Sequence, residues 1–402
     1  MDMATKWCDM PEWMLEEIFS WLPPEHLMRF KCVSKSWYSL IILLVKNPIF
    51  VKKHLGNIYS NNKMPSTRNL VFCCYRPGYW PNPDLEFWSP YELYSLVTMY
   101  NDDNESNDVF IYVSESFDMP IPRTELDMSC VLGCHCNGII CLCGSHKAIL
   151  LCNLAMKEFR TLPKPYPPLG DFVFVVVGIG FYYDSRVNDY KVIRFGCERL
   201  FPGSVVNPKP RADIYSMATD SWRRVETQLE FDGLPYPGEQ VFCKGVFYWS
   251  MWTSAYFIIS FDVFDEGLCR IPLPDSLFET QIEQLKLALW NESVVLFFYP
   301  GERGSPISIQ VWELDDCHGG VKGSCSWIKK LIIGPLVDVV TPWTFWKSDE
   351  LLLEATGGGL VSYNLSSQML RNLTIPEAGR IVRWEFSYVK SLVSVHGEEQ
   401  AG

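Results

Sequence analysis

From residue 10 to residue 55 the apolar positions recur at helical spacing. Leu15, Ile18, Phe19 and Leu22 stand at i, i+3, i+4 and i+7, which is one face of a helix. Asp9 is placed to cap that helix, with Glu12 in capping-box position and Pro11 in its first turn. The run Leu22-Pro23-Pro24 ends it and opens a second helix over 25–32. Ser34 is placed to cap a third, carrying Trp37, Leu40, Ile41 and Leu44, which Asn47-Pro48 terminates. Three short helices in about 45 residues bury little apolar surface by themselves, yet this stretch is dense in it. The pattern therefore predicts completion, either by a partner's helices or by the chain's own downstream part.

After residue 55 the period changes. Short apolar runs alternate with Gly, Pro, Asn and Asp turns, and strands are predicted at 70–74, 93–99, 109–113, 139–143, 172–178, 190–194, 246–249, 294–299, 307–313 and 351–354. One helical stretch is expected, at 278–285. A unit recurs: a strand, an Asn or Asp near its end, a short turn, then a strand that reaches a basic residue. It is seen at 149–160, 214–223, 258–270 and 361–371, and more loosely at 309–329 with an insertion at 315–325. The basic anchors Arg160, Arg223, Arg270, Lys329 and Arg371 are about 63, 47, 59 and 42 residues apart. Periods near 50 over the remaining 347 residues predict about six or seven propeller blades. The competing arrangement is a sandwich of unrelated hairpins. Either way the fold class is mainly β behind a small three-helix unit.

Composition narrows this. With 48% hydrophobic and 20% charged residues, the 402-residue chain is globular, and 14% aromatics favour a wide β core. The net charge of −12 argues against nucleic acid as a partner. Residues 1–55 carry seven Lys/Arg and six Asp/Glu, so the acidity belongs to the β part, which holds 28 against 41. Such a surface suits a basic protein partner as well as it suits plain solubility. The longest apolar runs, 39–45 and 172–180, are far short of a membrane span, and residues 1–8 lack a leader pattern, so no membrane partner is expected. The 15 cysteines are then expected to be reduced, in the cytoplasm or the nucleus.

The candidate chemistry is thin. Cys130, Cys134, His135, Cys136, Cys141, Cys143 and His146 are zinc-type ligands, but their spacings fit a strand core better than a Cys-x2–4-Cys pair. Gly178-Ile-Gly-Phe-Tyr-Tyr lacks the third glycine and the helix that a dinucleotide site needs. No Gly-x-Ser-x-Gly, His-Glu-x-x-His or phosphate-loop pattern occurs. No catalytic residue, metal or cofactor is expected.

The run from Met10 to Trp37 resembles an F-box. It matches that pattern at Pro11, Ile18, Leu22, Pro23, Leu27, Arg29, Phe30, Cys32, Val33, Ser34, Lys35 and Trp37, and departs from it at Met10 and by about four extra residues over 42–47. The resemblance implies binding of a Skp-type linker protein through Pro11, Leu15, Ile18, Leu22, Pro23, Leu27, Val33 and Trp37, with cullin and RING subunits of a ubiquitin ligase following. The β part resembles the plant F-box-associated, kelch-like domain, on Gly133-Cys-His-Cys-Asn-Gly-Ile-Ile-Cys-Leu142, Gly178-Ile-Gly-Phe181, Asp220-Ser-Trp-Arg223 and Gly245-Val-Phe-Tyr-Trp249. Val311-Trp312, Ser326-Trp327 and Trp346-Lys-Ser-Asp-Glu350 are similar to the S-locus F-box proteins and their pollen-expressed relatives, which implies a basic pistil ribonuclease as substrate. The domains expected are 8–55 for the F-box and 66–396 for a β-propeller that recognises substrate. Acidic loop residues Asp84, Glu86, Asp102, Asp103, Glu302, Asp315 and Asp316 are the candidates for that contact.

Overall fold

A computed structural model describes residues 10–61, 67–75, 92–101, 109–117, 132–143, 149–165, 172–200, 209–274, 277, 284–300, 306–315, 325–356, 359–373 and 382–397. Among the described residues four helices lead the chain: α1 (Glu12–Phe19), α2 (Pro24–Phe30), α3 (Lys35–Lys46) and α4 (Pro48–Asn61). Pro11, not Asp9, occupies the N-cap of α1, without a side-chain cap; Asp9 itself lies outside the described residues. Ser34 caps α3 as expected, its Oγ accepting from the Trp37 N–H at 3.2 Å. Asn47-Pro48 both ends α3 and starts α4. The Asn47 Oδ1 accepts from the Ile49 N–H at 3.0 Å, and Pro48 sits in the first turn, where its missing N–H costs nothing. A fourth helix thus crosses the boundary expected at residue 55. The residues 42–47 that exceed the F-box pattern simply lengthen α3.

The rest of the described residues form six four-stranded antiparallel sheets. Blade 1 holds β1 (Thr67–Tyr75), β2 (Glu92–Asn101) and β3 (Val109–Phe117), with β24 (Val382–Tyr388) from the far end of the chain as its first strand. Blade 2 holds β4 (Leu132–Cys136), β5 (Ile139–Cys143), β6 (Ile149–Asn153) and β7 (Glu158–Thr161). Blade 3 holds β8 (Phe172–Asp184), β9 (Asp189–Leu200), β10 (Lys209–Ser216) and β11 (Ser221–Val225). Blade 4 runs β12 (Tyr236–Cys243), β13 (Val246–Trp252), β14 (Tyr256–Asp262) and β15 (Gly267–Ile271). Blade 5 runs β16 (Gln284–Trp290), β17 (Ser293–Tyr299), β18 (Ile307–Leu314) and β19 (Trp327–Leu336). Blade 6 runs β20 (Val339–Lys347), β21 (Glu350–Ala355), β22 (Leu360–Asn364) and β23 (Leu370–Leu373). The pairing of β24 with β1 joins the two ends of the domain in one blade. This is the propeller arrangement and not the sandwich. Residues 284 and 285, expected in a helix, lie in β16; residues 278–283 are outside the described set.

The middle strands of blade 2 are covered on both faces, so their sequences read as unbroken apolar runs. All five residues of β5 and of β6 are buried. The fourth strands of blades 2, 3, 4 and 6 are short, at four or five residues, and partly exposed; in β11 only Trp222 is buried. Between blades 3 and 4 the packing is aromatic. Trp249 stacks on Phe247 and Phe195 with centroids 5.9 and 6.0 Å away, and donates from Nε1 to the Ile179 carbonyl at 3.0 Å. Its ring lies where a Cβ on Gly178 would come within 2.9 Å, which explains that glycine in structural terms. On the other face of blade 3, fully buried Asp213 sits between Arg194 at 2.6 Å and Arg211 at 3.0 Å. Arg211 continues to Glu198 at 2.6 Å, and Arg194 lies 4.3 Å over the Phe174 ring.

The repeat seen in the sequence has a physical basis. Asn153, Asp262 and Asn364 each accept two backbone N–H bonds through Oδ1, from residues two and three further on. The fourth residue after each, Lys157, Glu266 and Gln368, has φ of 56°, 53° and 57°. Blade 3 uses Ser216 and Asp220 at the same two places. The basic anchors tie neighbouring blades: Arg160 bonds Asp220 at 2.8 Å, and Arg223 bonds Glu266.

Candidate interaction surfaces

The F-box-like helical unit buries one stripe of each helix. Leu15, Phe19, Leu27, Ile41, Leu44 and Phe50 form its interior, and Leu392 from beyond the last strand enters that interior, 1% exposed. Of the eight residues that the F-box resemblance assigns to a linker contact, Leu15 and Leu27 point inward at 7% and 0% exposure, so they support the unit from within. Leu22 and Trp37 are half-buried. Trp37 packs edge-on to Phe19 with centroids 5.1 Å apart. Pro11, Ile18, Pro23 and Val33 face solvent, Val33 at 60%. Sequence reasoning passed over Trp13, Trp21, Tyr38, Leu43 and Ile49, all exposed. The signal was there: these apolar residues fall off the helical stripe that the interior uses, and a helix that is apolar on its outer face too needs something to cover it.

The F-box is seated on blade 2 through α4 and residues 389–397. Val51 and Leu55 pack against the blade 2 core together with Val393 and Val395. The Tyr59 hydroxyl donates to Asn137 Oδ1 at 3.1 Å in the β4–β5 turn. The Asn153 side-chain amide, fully buried, donates to the carbonyls of Ser391 and Val393 at 3.0 and 2.7 Å. Lys390 reaches Glu25 in α2 at 2.5 Å. The C-terminal segment is therefore a clasp with polar bonds to blade 2, an ion pair to α2 and one leucine inside the F-box. Both completions that the sequence left open meet here: part of the apolar surface of α1–α4 is covered by the chain itself, and part remains outside. His54, buried in α4, gives Leu22's carbonyl a 2.8 Å partner, and burial holds its imidazole below the usual value.

This seating fixes which propeller face is which. The β4–β5 and β6–β7 turns lie toward the F-box, and so do the equivalent strand ends of the other blades, because the first strands of the blades all run the same way. Of the acidic candidates for a substrate contact, Asp84, Glu86, Asp102, Asp103, Glu302 and Asp316 lie outside the described residues. The strands that bracket them are described. Those flanking 84–86 and 302 end on the face away from the F-box, whereas those flanking 102–103 and 315–316 end on the F-box side. Asp315 is exposed, with its N–H bonded to the Ser326 carbonyl at 2.8 Å.

The thiol cluster is also clarified. Cys134, Cys141, Cys143 and Cys152 are buried free thiols in blade 2. Burial pushes Cys143 and Cys152 up to about 12 and lowers His135 to about 4. Neutral thiols of this kind are packing groups; Cys130 and His146 lie outside the described residues. Cys325 is disulfide-bonded, which departs from the expectation of reduced cysteines throughout.

Two protein families match this chain. The F-box domain family covers residues 7–47, and the F-box associated beta propeller domain family covers residues 87–395. The chain belongs to the F-box-associated β-propeller family. An F-box/kelch-repeat protein of Arabidopsis thaliana is 28% identical over 372 residues, 89% of this chain and 88% of that one. A second F-box/kelch-repeat protein of the same plant is 22% identical over 341 residues, covering 83% and 69%. Among solved structures, an oligogalacturonate lyase in complex with manganese aligns with a TM-score of 0.37 and 10% identity over 72% of this chain and 76% of that one, which carries no argument. As an F-box protein with a propeller behind it, the chain is a substrate adaptor in design: the F-box for a Skp-type linker, the propeller for a protein substrate.

Proposed function

We propose that this chain holds a protein substrate on its propeller while the outer apolar face of its F-box holds a Skp-type linker, and through it the cullin and RING subunits of a ubiquitin ligase. The observation that carries this is the combination of Trp13, Ile18, Trp21, Val33, Tyr38, Leu43 and Ile49 left exposed on α1–α4 with a clasp that fixes those helices to blade 2. The mechanism is proximity. A substrate held on a body joined to the ligase core experiences a high effective concentration of the charged conjugating enzyme, and the chain needs no covalent chemistry of its own. The reading carries with it a cytoplasmic, and also nuclear, placement, where the free thiols of blade 2 stay reduced.

A narrower form makes the substrate a basic pistil ribonuclease of another haplotype, with the chain acting in pollen. It is supported by the C-terminal resemblance at Val311-Trp312 and Trp346–Glu350 and by the acidity of residues 56–402. A general plant adaptor with a different protein substrate accommodates the same observations. Affinity capture from plant extract with full-length chain tests the common part. Linker and cullin are expected with the wild type and absent with Val33→Asp and Leu43→Asp together, since both positions are exposed and tolerate charge in the free protein. Recovery of linker with both forms, or with neither, contradicts the proposal. Added pistil extract separates the narrower form: a basic ribonuclease retained by both variants supports it, and its absence leaves the general adaptor.

A further inference from the structure

We propose that the propeller face opposite the F-box receives a lysine or arginine side chain of the protein substrate, at blade 4, between the aromatic pair Tyr236–Trp252 and the carboxylates of Asp232 and Glu239. This rests on the adaptor reading and adds to it the site and the chemistry of what is held. Tyr236 opens β12 and Trp252 closes β13, and the two are direct cross-strand partners. Their rings are 5.7 Å apart and tilted by 39°, and they are 61% and 45% exposed. Most tryptophans of the propeller are instead buried or half-buried, as Trp249 and Trp343 are at 1% and 3%. Two large rings left in water side by side form a surface that a flat or cationic group can cover.

The rim around that pair is acidic and is built. Asp232, exposed, accepts from the Ser254 hydroxyl at 2.5 Å in the turn that follows Trp252. Glu239 is placed by a bulge in β12, where the register with β13 breaks between Pro237 and Gln240. The bulge depends on Gly238, since a Cβ there would stand 2.3 Å from Ser250 Oγ. That Oγ accepts from the Glu239 N–H at 2.8 Å and donates to Glu239 Oε2 at 3.1 Å, so the carboxylate is oriented by the neighbouring strand, β13. Glu230, also exposed, precedes them on the same link. The cation whose charge reaches Asp232 is Arg270, and its guanidinium is already engaged 4.6 Å over the Phe257 ring. The same face therefore shows, inside the protein, the cation-on-aromatic pairing inferred for the partner.

Charge decides between occupants. A second copy of the chain would bring a propeller of 41 Asp/Glu against 28 Lys/Arg, like against like, and an apolar segment would leave the carboxylates facing it without partners. A basic side chain satisfies the rings and the carboxylates together.

The test uses full-length chain bound to its linker and an immobilised library of peptides of about eight residues on a Gly/Ser background, at about 150 mM salt to suppress diffuse attraction. Wild type is expected to enrich peptides with Lys or Arg at one position. Trp252→Ser with Tyr236→Ser, and separately Asp232→Asn with Glu239→Gln, are each expected to cut that enrichment by about tenfold. All four positions are on the surface or its rim, and unchanged thermal melting confirms that the fold is intact. Enrichment of acidic or apolar peptides, no enrichment, or basic enrichment that survives loss of the two rings overturns the proposal. Linker binding is titrated on the same preparation. Loss of linker binding with basic peptides still enriched would remove the adaptor reading and leave this site standing; the reverse would remove the site and leave the adaptor.

Discussion

The F-box and the propeller bury apolar residues in opposite ways. The propeller wraps its central strands in neighbours on both sides, so β5, β6 and most of β21 are closed to water. The F-box, with four short helices, closes only one stripe. Eight of the large apolar residues exposed among the described residues lie between Trp13 and Tyr59, a span of under 50 residues, and ten are spread over all that follows. The difference teaches that these regions meet different demands. A ring of blades completes its own core by bringing β24 back to β1, while a small helical unit remains unfinished on one side and is held on the other by a borrowed segment, 389–397. Stability in the propeller is internal; in the F-box it depends on what touches it.

Substitutions can break or sharpen that contrast. The largest effect is expected at Asp213. Asp213→Ala leaves Arg194 and Arg211 buried without their shared carboxylate, and a loss of about 3–5 kcal/mol in urea unfolding of the propeller is expected. A loss below about 1 kcal/mol would mean that the interior of blade 3 tolerates charge as a surface does. Leu392→Ala should cost about 2–4 kcal/mol locally, read as faster hydrogen exchange in α1–α4 with β5 and β6 unchanged. Uniform exchange in both regions would show that the clasp is not what holds the helices.

Acid should act on blade 2. Burial holds His135 at about 4 in the folded state, below the usual 6.5, so the unfolded chain binds more protons between those values. The stabilisation is complete above pH 6.5 and falls as pH drops toward 4, by up to about 3 kcal/mol. His135→Gln should flatten this part of the pH profile of chemical unfolding; a profile that keeps its slope would place the effect elsewhere, His54 included. The smallest effect is expected at the inter-blade pair Arg160–Asp220. Asp220 is 65% exposed, and Asp220→Asn should change stability by less than about 1 kcal/mol.

Much of the propeller was legible because its blades repeat. The Asn or Asp at 153, 262 and 364 marks the turn by the bonds it makes, and the doubly covered strands write themselves as apolar runs. The fourth strands were harder, since β7 and β23 have four residues each, with few apolar side chains to mark them. Residues 284–285 misled because Phe278, Ile282 and Leu285 stand at i, i+4 and i+7, a helical spacing, although 284 and 285 open β16. In the F-box the motif located the helices but not their inner and outer faces; Leu15 and Leu27 belong to the expected linker contact and yet are internal. The clasp was not legible at all. Nothing in the pattern of 389–397 says that Leu392 enters a core more than 340 residues earlier in the chain, because such a contact is long-range and has no period.

The most direct measurement is a calorimetric titration of purified Skp-type linker into the purified full-length chain. We expect one-to-one binding with a negative heat-capacity change from the apolar area covered, and a loss of at least about a hundredfold in affinity for Ile18→Asp with Val33→Asp, with the propeller's melting unchanged. Binding that is absent from the wild type, or equally tight in the double variant, would contradict the assignment of the outer face of α1–α4 to the linker.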